Sequence, residues 1–432
     1  MKKIFIYFLI VLFFNTNLFA ESLTEALLKA YNKNPKLNAE RENINISKED
    51  INISKSDFLP TVTLSGIKSK EDTSKLTNQS GGDASITDVD PLTTSLLIEQ
   101  TLYDGRSRNA DLEKNKLGLD ISKIKLLKVE QEILYQAVEA YTGLVFANNK
   151  YKINQSNVNL LERQVETDQA RLEKGQISVV DLAQSESSLA GANAKFIEAK
   201  NEVVTGKLIY ENIIGSIDNI NDLTDKLNFN LKLPESLAEA NEISQKNNPE
   251  LIIAKLELQQ TEKDIQIAQA DLRPSATLSF ETSQTEDLSA TYDERDKSVL
   301  KATVKWPFYT GGKNRATLNK NKNLNNQKKL LLEDAITSNR TSVASAWSSY
   351  QSSKSLLNSV ISQVGAAEIA NEGITVEYES GLGRSTLDVI QSNTLLLDSK
   401  TSLANSERNY LLSQFKLLQS IGLLTAEYLQ IK

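Results

Sequence analysis

The chain has no cysteine and no histidine among its 432 residues. Without cysteine there is no disulfide scaffold, thiolate metal site, thiol nucleophile or lipid-bearing cysteine at a mature N-terminus. Without histidine the commonest general base and the commonest metal ligand are missing. An enzyme would have to work with carboxylates, Lys, Tyr or Ser alone, and there is no Gly-rich phosphate loop or nucleophile elbow. Neither catalysis nor a cofactor or metal is expected. A concentrated basic patch is also lacking and the net charge is -7, which argues against a nucleic-acid partner. Beyond residue 20 no apolar run approaches the roughly 20 residues of a membrane helix. A mature chain that enters a bilayer must then do so as a closed β-barrel.

The first 20 residues read as a secretory signal. Lys2-Lys3 form the positive region, Ile4 to Phe14 the apolar stretch and Leu18-Phe19-Ala20 the cleavage site. A membrane anchor is the competing reading, and the apolar run is short for it. Loss of Lys2 and Lys3 takes the net charge from -7 to -9.

The remainder is written twice. Asn34-Pro35 and Leu59-Pro60 recur as Asn248-Pro249 and Arg273-Pro274, 214 residues on. Tyr103-Asp104-Gly105, Gly175, Asp181, Gln184-Ser185 and Ile214-Gly215 recur 206 or 207 residues on. These counterparts are Tyr309-Thr310-Gly311, Gly381, Asp388, Gln391-Ser392 and Ile421-Gly422. A period of this length is too long for a solenoid repeat and implies two copies of a domain-sized unit.

Only seven prolines are present, at 35, 60, 91, 234, 249, 274 and 307. Proline breaks helices and central strands, so the two proline-free tracts are where long helices fit. Leu117, Ile121, Ile124, Leu134, Val138, Tyr141 and Val145 follow the alternating 4 and 3 steps of a coiled-coil seam. So do Val343, Trp347, Tyr350, Leu357, Ile361 and Val364. A helix of about 69 residues would be on the order of 100 Å long. Before each long helix the period becomes two, as in Thr61-Val62-Thr63-Leu64-Ser65 and in Leu300, Ala302, Val304 and Trp306.

The expected first repeat spans 21–233. It holds a helix over 23–58, strands over 61–70 and 92–103, and a long helix over 106–174. A turn over 175–180, a helix over 181–214 and an equatorial segment over 215–233 complete it. The second repeat spans 234–432. It holds a helix over 237–272, strands over 275–284 and 297–306, and a long helix over 313–380. A turn over 381–387, a helix over 388–421 and a tail over 422–432 follow.

Four strands cannot close a barrel, and open edges in lipid cost several kcal/mol for each unpaired group. Several chains must pool their strands. Two would give eight strands and three would give twelve, and the pattern alone leaves the number open.

The order helix, strand pair, long helix, Gly turn, half helix, twice over, resembles the TolC family of bacterial outer-membrane efflux proteins. The most specific residues are in the two turns, Arg171 to Leu182 and Tyr378 to Val389. The strand lead-in Phe58-Leu59-Pro60 and the strand exits Leu102 to Gly105 and Phe308 to Gly312 are also family-like. The resemblance implies an α+β homotrimer. Its twelve-stranded outer-membrane β-barrel, four strands per chain, continues as a long α-helical coiled-coil tunnel projecting into the periplasm. It implies a periplasmic adaptor (membrane fusion) protein and an inner-membrane pump of the RND, ABC or MFS type. Small molecules or proteins would be passed outward, in efflux or in type I secretion.

In this reading Asp181, Tyr378, Arg384 and Asp388 form a periplasmic gate, with Asp181 as partner of Tyr378 and Arg384. Asp388 would form a ring of three acids. Gly175, Gln176, Gly381 and Leu382 belong to the adaptor-docking turns. Tyr103, Trp306 and Tyr309 face the interface of the outer-membrane lipid. The chain departs from the family in carrying Gln391 where a second acid is usual, and one extra residue between Gly381 and Asp388. The Val-Gly-Leu docking signature is missing at Lys174-Gly175-Gln176. Both aspartates also fit a plain helix-capping role, which coexists with gating. The competing function is a soluble periplasmic coiled-coil adaptor or scaffold.

Overall fold

Asparagine followed by proline sets the first break in each copy. The computed structural model describes residues 21–77, 79–83, 88–217, 219–224, 231–289, 292–381 and 383–431. The expected signal peptide and Leu382 lie outside the described residues. Helices α1 (Leu23–Lys33) and α2 (Pro35–Ser56) replace the single helix expected over 23–58. In the second copy α5 (Leu237–Asn247) and α6 (Pro249–Ala270) replace the one over 237–272. A proline has no N–H to donate and clashes with the preceding turn, so it suits only the start of a helix. The side-chain oxygen of Asn34 accepts from the N–H groups of Lys36 and Leu37, and that of Asn248 from Glu250 and Leu251. Each Asn-Pro pair therefore caps a new helix.

The long helices are α3 (Ser107–Glu173) and α7 (Lys313–Glu379), 67 residues each. They are followed by α4 (Val179–Ile213) and α8 (Thr386–Ser420), 35 residues each. Strand β1 (Thr61–Lys68) is the short one. Strands β2 (Leu92–Tyr103), β3 (Ser275–Glu286) and β4 (Glu294–Lys305) have 12 residues each.

The chain divides into two compact units, and each draws on both copies. One unit comprises 39–128 and 248–340 and contains the sheet. Its strands run antiparallel in the order β1-β2-β3-β4. Register places Val62 beside Ile98, Ile98 beside Phe280 and Phe280 beside Leu300. Leu64, Leu96, Leu278 and Val304 share this apolar face. The opposite face carries Thr61, Thr63, Glu99, Thr277, Ser279 and Lys301. Among the described residues the outer strands β1 and β4 have no strand partner on their far edges. Leu64, Leu300 and Val304 are exposed, each by at least 70%.

Beside the sheet, polar and charged pairs tie the helices together. Ser54 donates to Asp111 at 2.7 Å, and Lys114 meets Asp264 at 2.7 Å. Asn325 donates to Thr261 at 2.9 Å and Lys328 pairs with Glu257 at 2.6 Å.

The other unit comprises 1–38, 129–247 and 341–432. Its core holds Leu134, Val138, Tyr141 and Leu144 of α3, Tyr210 of α4, and Phe415, Leu417 and Leu418 of α8, all fully buried. The Tyr141 hydroxyl donates to the carbonyls of Glu21 and Thr224, fastening the start of the described chain. The tail folds back, and Gln131 donates to the Gly422 carbonyl at 2.9 Å.

The seam of α7 differs from expectation in one place. Val360 is buried and Ile361 is half exposed. The buried positions after Leu357 run 360, 364, 367, so the step of 3 precedes the step of 4. The two orders cannot be told apart where Val and Ile are adjacent.

Candidate functional site: the helical turns

Each long helix stops at a glycine with positive φ, 69° at Gly175 and 75° at Gly381. The left-handed conformation is cheap only without a Cβ and lets the chain reverse. Gly175 N–H donates to the Leu172 carbonyl and Gln176 N–H to that of Arg171, closing the helix end. The second turn has one more glycine, Gly383 at φ 83°. The extra residue is thereby absorbed before the next helix begins, so Arg384 directly precedes the cap of α8.

The caps are serines. Ser178 and Ser385 accept from the N–H groups of Asp181 and Asp388, and each aspartate accepts in return from the serine N–H at 2.9 Å. This reciprocal box begins α4 and α8 two residues earlier than expected, at 179 and 386. The Ser-x-x-Asp spacing was legible in the sequence at both turns.

Hydrogen bonds from the Ser178 hydroxyl and backbone hold the Asp181 carboxyl below the usual carboxylate range. Those from the Ser385 backbone and hydroxyl do the same for Asp388, with a smaller contribution from nearby Arg384. A depressed folded pKa stabilises the fold above the unfolded value of about 3.9 and ceases to do so as pH falls through the folded value. Hydrogen-exchange protection at 179–182 and 386–389 is therefore expected to hold near neutrality and drop at acid pH. Asp388→Asn should remove that pH dependence from α8 alone, and protection falling equally at both turns would refute the assignment.

The partner of Tyr378 is a residue the sequence reading missed. Tyr378 Oη donates to Asp168 Oδ1 at 3.0 Å. Gln164 Nε2 donates to both Asp168 oxygens at 3.0 and 3.1 Å, and Ser185 Oγ to Oδ2 at 2.5 Å. Thr386 Oγ1 lies 3.1 Å from Tyr378 Oη. Asp168 and Ser185 are 0% exposed. One carboxyl thus gathers side chains from α3, α4 and α7, and Thr386 of α8 joins through the tyrosine. The guanidinium of Arg171 lies over the Tyr378 ring, 4.4 Å from its centre.

Asp181 is held by Ser178, and Arg384 pairs with Glu377 at 2.6 Å. The expected pairing of Asp181 with Tyr378 and Arg384 is not formed in this chain, since both aspartate-to-serine boxes draw the acids to their own caps. Arg171, Gln176, Asp181, Tyr378, Gly381 and Arg384 nevertheless line one cavity of about 440 Å³. Three of the four expected gate residues, Asp181, Tyr378 and Arg384, are thus brought to one place.

A signal for Asp168 existed. Val158 and Leu161 are buried on the α3 seam, and Asp168 lies one heptad beyond Leu161. An acid on an apolar seam is the kind of misfit that marks a function.

At the other group of expected residues, a bulge between Thr101 and Tyr103 shifts the register so that Tyr103 pairs with Ala276. The ring is thereby turned to the apolar face. Trp306 donates to the Leu272 carbonyl and packs edge-on against Phe308, which was not among the expected interface aromatics. Phe308 and Tyr309 are 87% and 84% exposed, as interfacial anchors would be.

The chain is similar to known proteins over most of its length. Residues 26–209 and 242–423 match the family described as outer membrane efflux protein. The outer membrane efflux protein BepC of Brucella suis is 26% identical over 417 residues, covering 96% of this chain and 88% of BepC. The outer membrane protein TolC of Escherichia coli is 22% identical over 358 residues, covering 80% and 72%. The solved structure of the outer membrane protein VceC from Vibrio cholerae superposes with a TM-score of 0.77 at 16% identity, covering 93% and 96%. The matched residues span both copies and both helical turns. The chain belongs to the outer membrane efflux protein family, and is an exit channel of the outer membrane, not an enzyme.

Proposed function

We propose that three copies of this chain assemble into a duct. Their strands would close a twelve-stranded barrel in the outer membrane, and their helices would form a tunnel in the periplasm. The turns at Gly175, Gln176, Gly381 and Leu382 would meet a periplasmic adaptor, and an inner-membrane pump would load the duct with small molecules or secreted proteins. The observation that carries this reading is the sheet. It has one apolar and one polar face, and among the described residues neither β1 nor β4 is paired at its outer edge. In lipid such edges must be closed by further strands. A soluble coiled-coil scaffold would have no use for that exposed apolar face. Among the described residues no helix is long and apolar enough to cross a membrane.

Asp168, Tyr378 and Thr386 hold the turns together in the closed state, and adaptor contacts shift the population toward the open one. Asp388 supplies a ring of carboxylates at the mouth. The test is conductance of the purified protein in planar bilayers. Discrete channels are expected, with block by a multivalent cation added on the periplasmic side. Asp388→Ala should abolish that block; block that persists would place the constriction elsewhere, and a protein forming no channels would refute the duct.

A further inference from the structure

Strand β4 concentrates positive charge on the polar face of the sheet. Arg295, Lys297, Lys301 and Lys305 are on one face of the strand, with Val299 and Thr303 between them, in register with Thr285, Ser283, Ser279 and Ser275 of β3. They share a face with those hydroxyls and not with Leu300 and Val304. All four are exposed, and among the described residues none forms an ion pair. At about 3.3 Å per residue the row extends over roughly 33 Å.

Little on the same face offsets it. The polar face holds two acids. Glu281 is beside Val299, diagonal to Lys297 and Lys301. Glu99 is in line with Lys301 but one strand further away, beyond Ser279. The polar face of β1 carries Thr61, Thr63, Ser65 and Ile67. A second copy joining β1 to the free edge of β4 would add no counter-charge in any register that keeps the apolar faces together. A chain of net charge -7 has therefore set four cations against two anions on this one surface.

We infer that β4 lines the pore with a basic ladder that favours anionic cargo, meaning small molecules bearing carboxylate, phosphate or sulfate. This rests on the duct reading, because it is the barrel that turns the polar face to the lumen. Like charges along a narrow aqueous path with low-dielectric walls raise the local concentration of counter-ions. Fixed cations repeated on every copy would do so for anions along the whole height of the barrel. The carboxylates at the helical turns act in the opposite sense, so the two can be separated by mutation.

The test is a reversal potential across a potassium chloride gradient in planar bilayers. Wild type is compared with the triple variant Lys297→Glu, Lys301→Glu, Lys305→Glu. The ratio of chloride to potassium permeability is expected to fall by about threefold or more. Tripolyphosphate added on the barrel side should block wild type and spare the variant. If the charge reversals hinder assembly, the corresponding Lys→Gln triple should give a smaller shift of the same sign. Channels of ordinary conductance with an unchanged ratio would overturn the inference and leave the duct standing. So would wild-type channels indifferent to tripolyphosphate on that side. Absence of any wild-type conductance would remove the duct and the inference together.

Discussion

Asp168→Ala raises single-channel conductance, and does so more than Tyr378→Phe. The order follows from what each change leaves behind. Removing the tyrosine hydroxyl leaves Asp168 still bonded to Gln164 and Ser185. The bond to Asp168 is lost, worth about 0.5–1.5 kcal/mol, together with the hydroxyl's contacts to Thr386 and Gln164. Removing the carboxyl takes the shared acceptor from Gln164, Ser185 and Tyr378 at once. A buried donor left unpaired costs about 1–3 kcal/mol, and the Ser185 hydroxyl lies in a fully buried site. With about 1.4 kcal/mol per tenfold change, the closed population should fall roughly tenfold or more for Asp168→Ala. Tyr378→Phe should lower it by a smaller factor. Arg384→Glu breaks an ion pair with Glu377 whose two side chains are 43% and 44% exposed. Such pairs are worth about 0–1 kcal/mol, so this change alone should add little. A far-ultraviolet melt that stays unchanged would show that the effect is local to the turns. Wild-type conductance from a folded Asp168→Ala protein would sink the latch.

Much of this architecture could be read before any coordinates, because periodicity is a local property. Alternation at Val62 and Leu64 and at Leu300, Ala302 and Val304 can only serve a two-faced strand. The proline-free tracts leave room for long helices. What escaped was set by context. The Asn-Pro pairs look like ordinary turn chemistry until the helices on both sides are seen to be helical. Asp181 and Asp388 drew attention as acids, whereas Ser178 and Ser385 make the caps and recruit the acids to them. Asp168 showed only as an acid on the α3 seam, and its role escaped for a different reason. Its counterpart in the second copy is Ile374, so the internal repeat that exposed the other features gave no echo there. Its partners Tyr378 and Ser185 lie 210 and 17 residues away in sequence. Pairings that far apart are decided by packing of whole helices, which no local pattern reports.

Leu300→Arg should abolish assembly in the outer membrane, while Lys301→Leu, one residue along the same strand, should leave it intact. Leu300 is 70% exposed in the single chain and registers with Phe280 and, through it, Ile98. If that face meets lipid, arginine near mid-depth costs about 2–4 kcal/mol. Repeated in every copy of a closed barrel, the cost reaches the size of a typical folding free energy, about 5–15 kcal/mol. Lys301 is on the other face, where leucine loses a charge but meets water and the Ser279 hydroxyl, so the folded oligomer should form and only its ion preference should change. Heat-modifiable migration of membrane fractions on gels distinguishes the two outcomes. The same chain offers a second check, since it contains no cysteine of its own. Single cysteines placed along β1 and along β4 and combined pairwise should crosslink between copies in one antiparallel register. They should do so only for pairs on the same face. Crosslinks at every register, or Leu300→Arg assembling as well as wild type, would mean that these edges do not meet and that the apolar face is covered by something other than lipid.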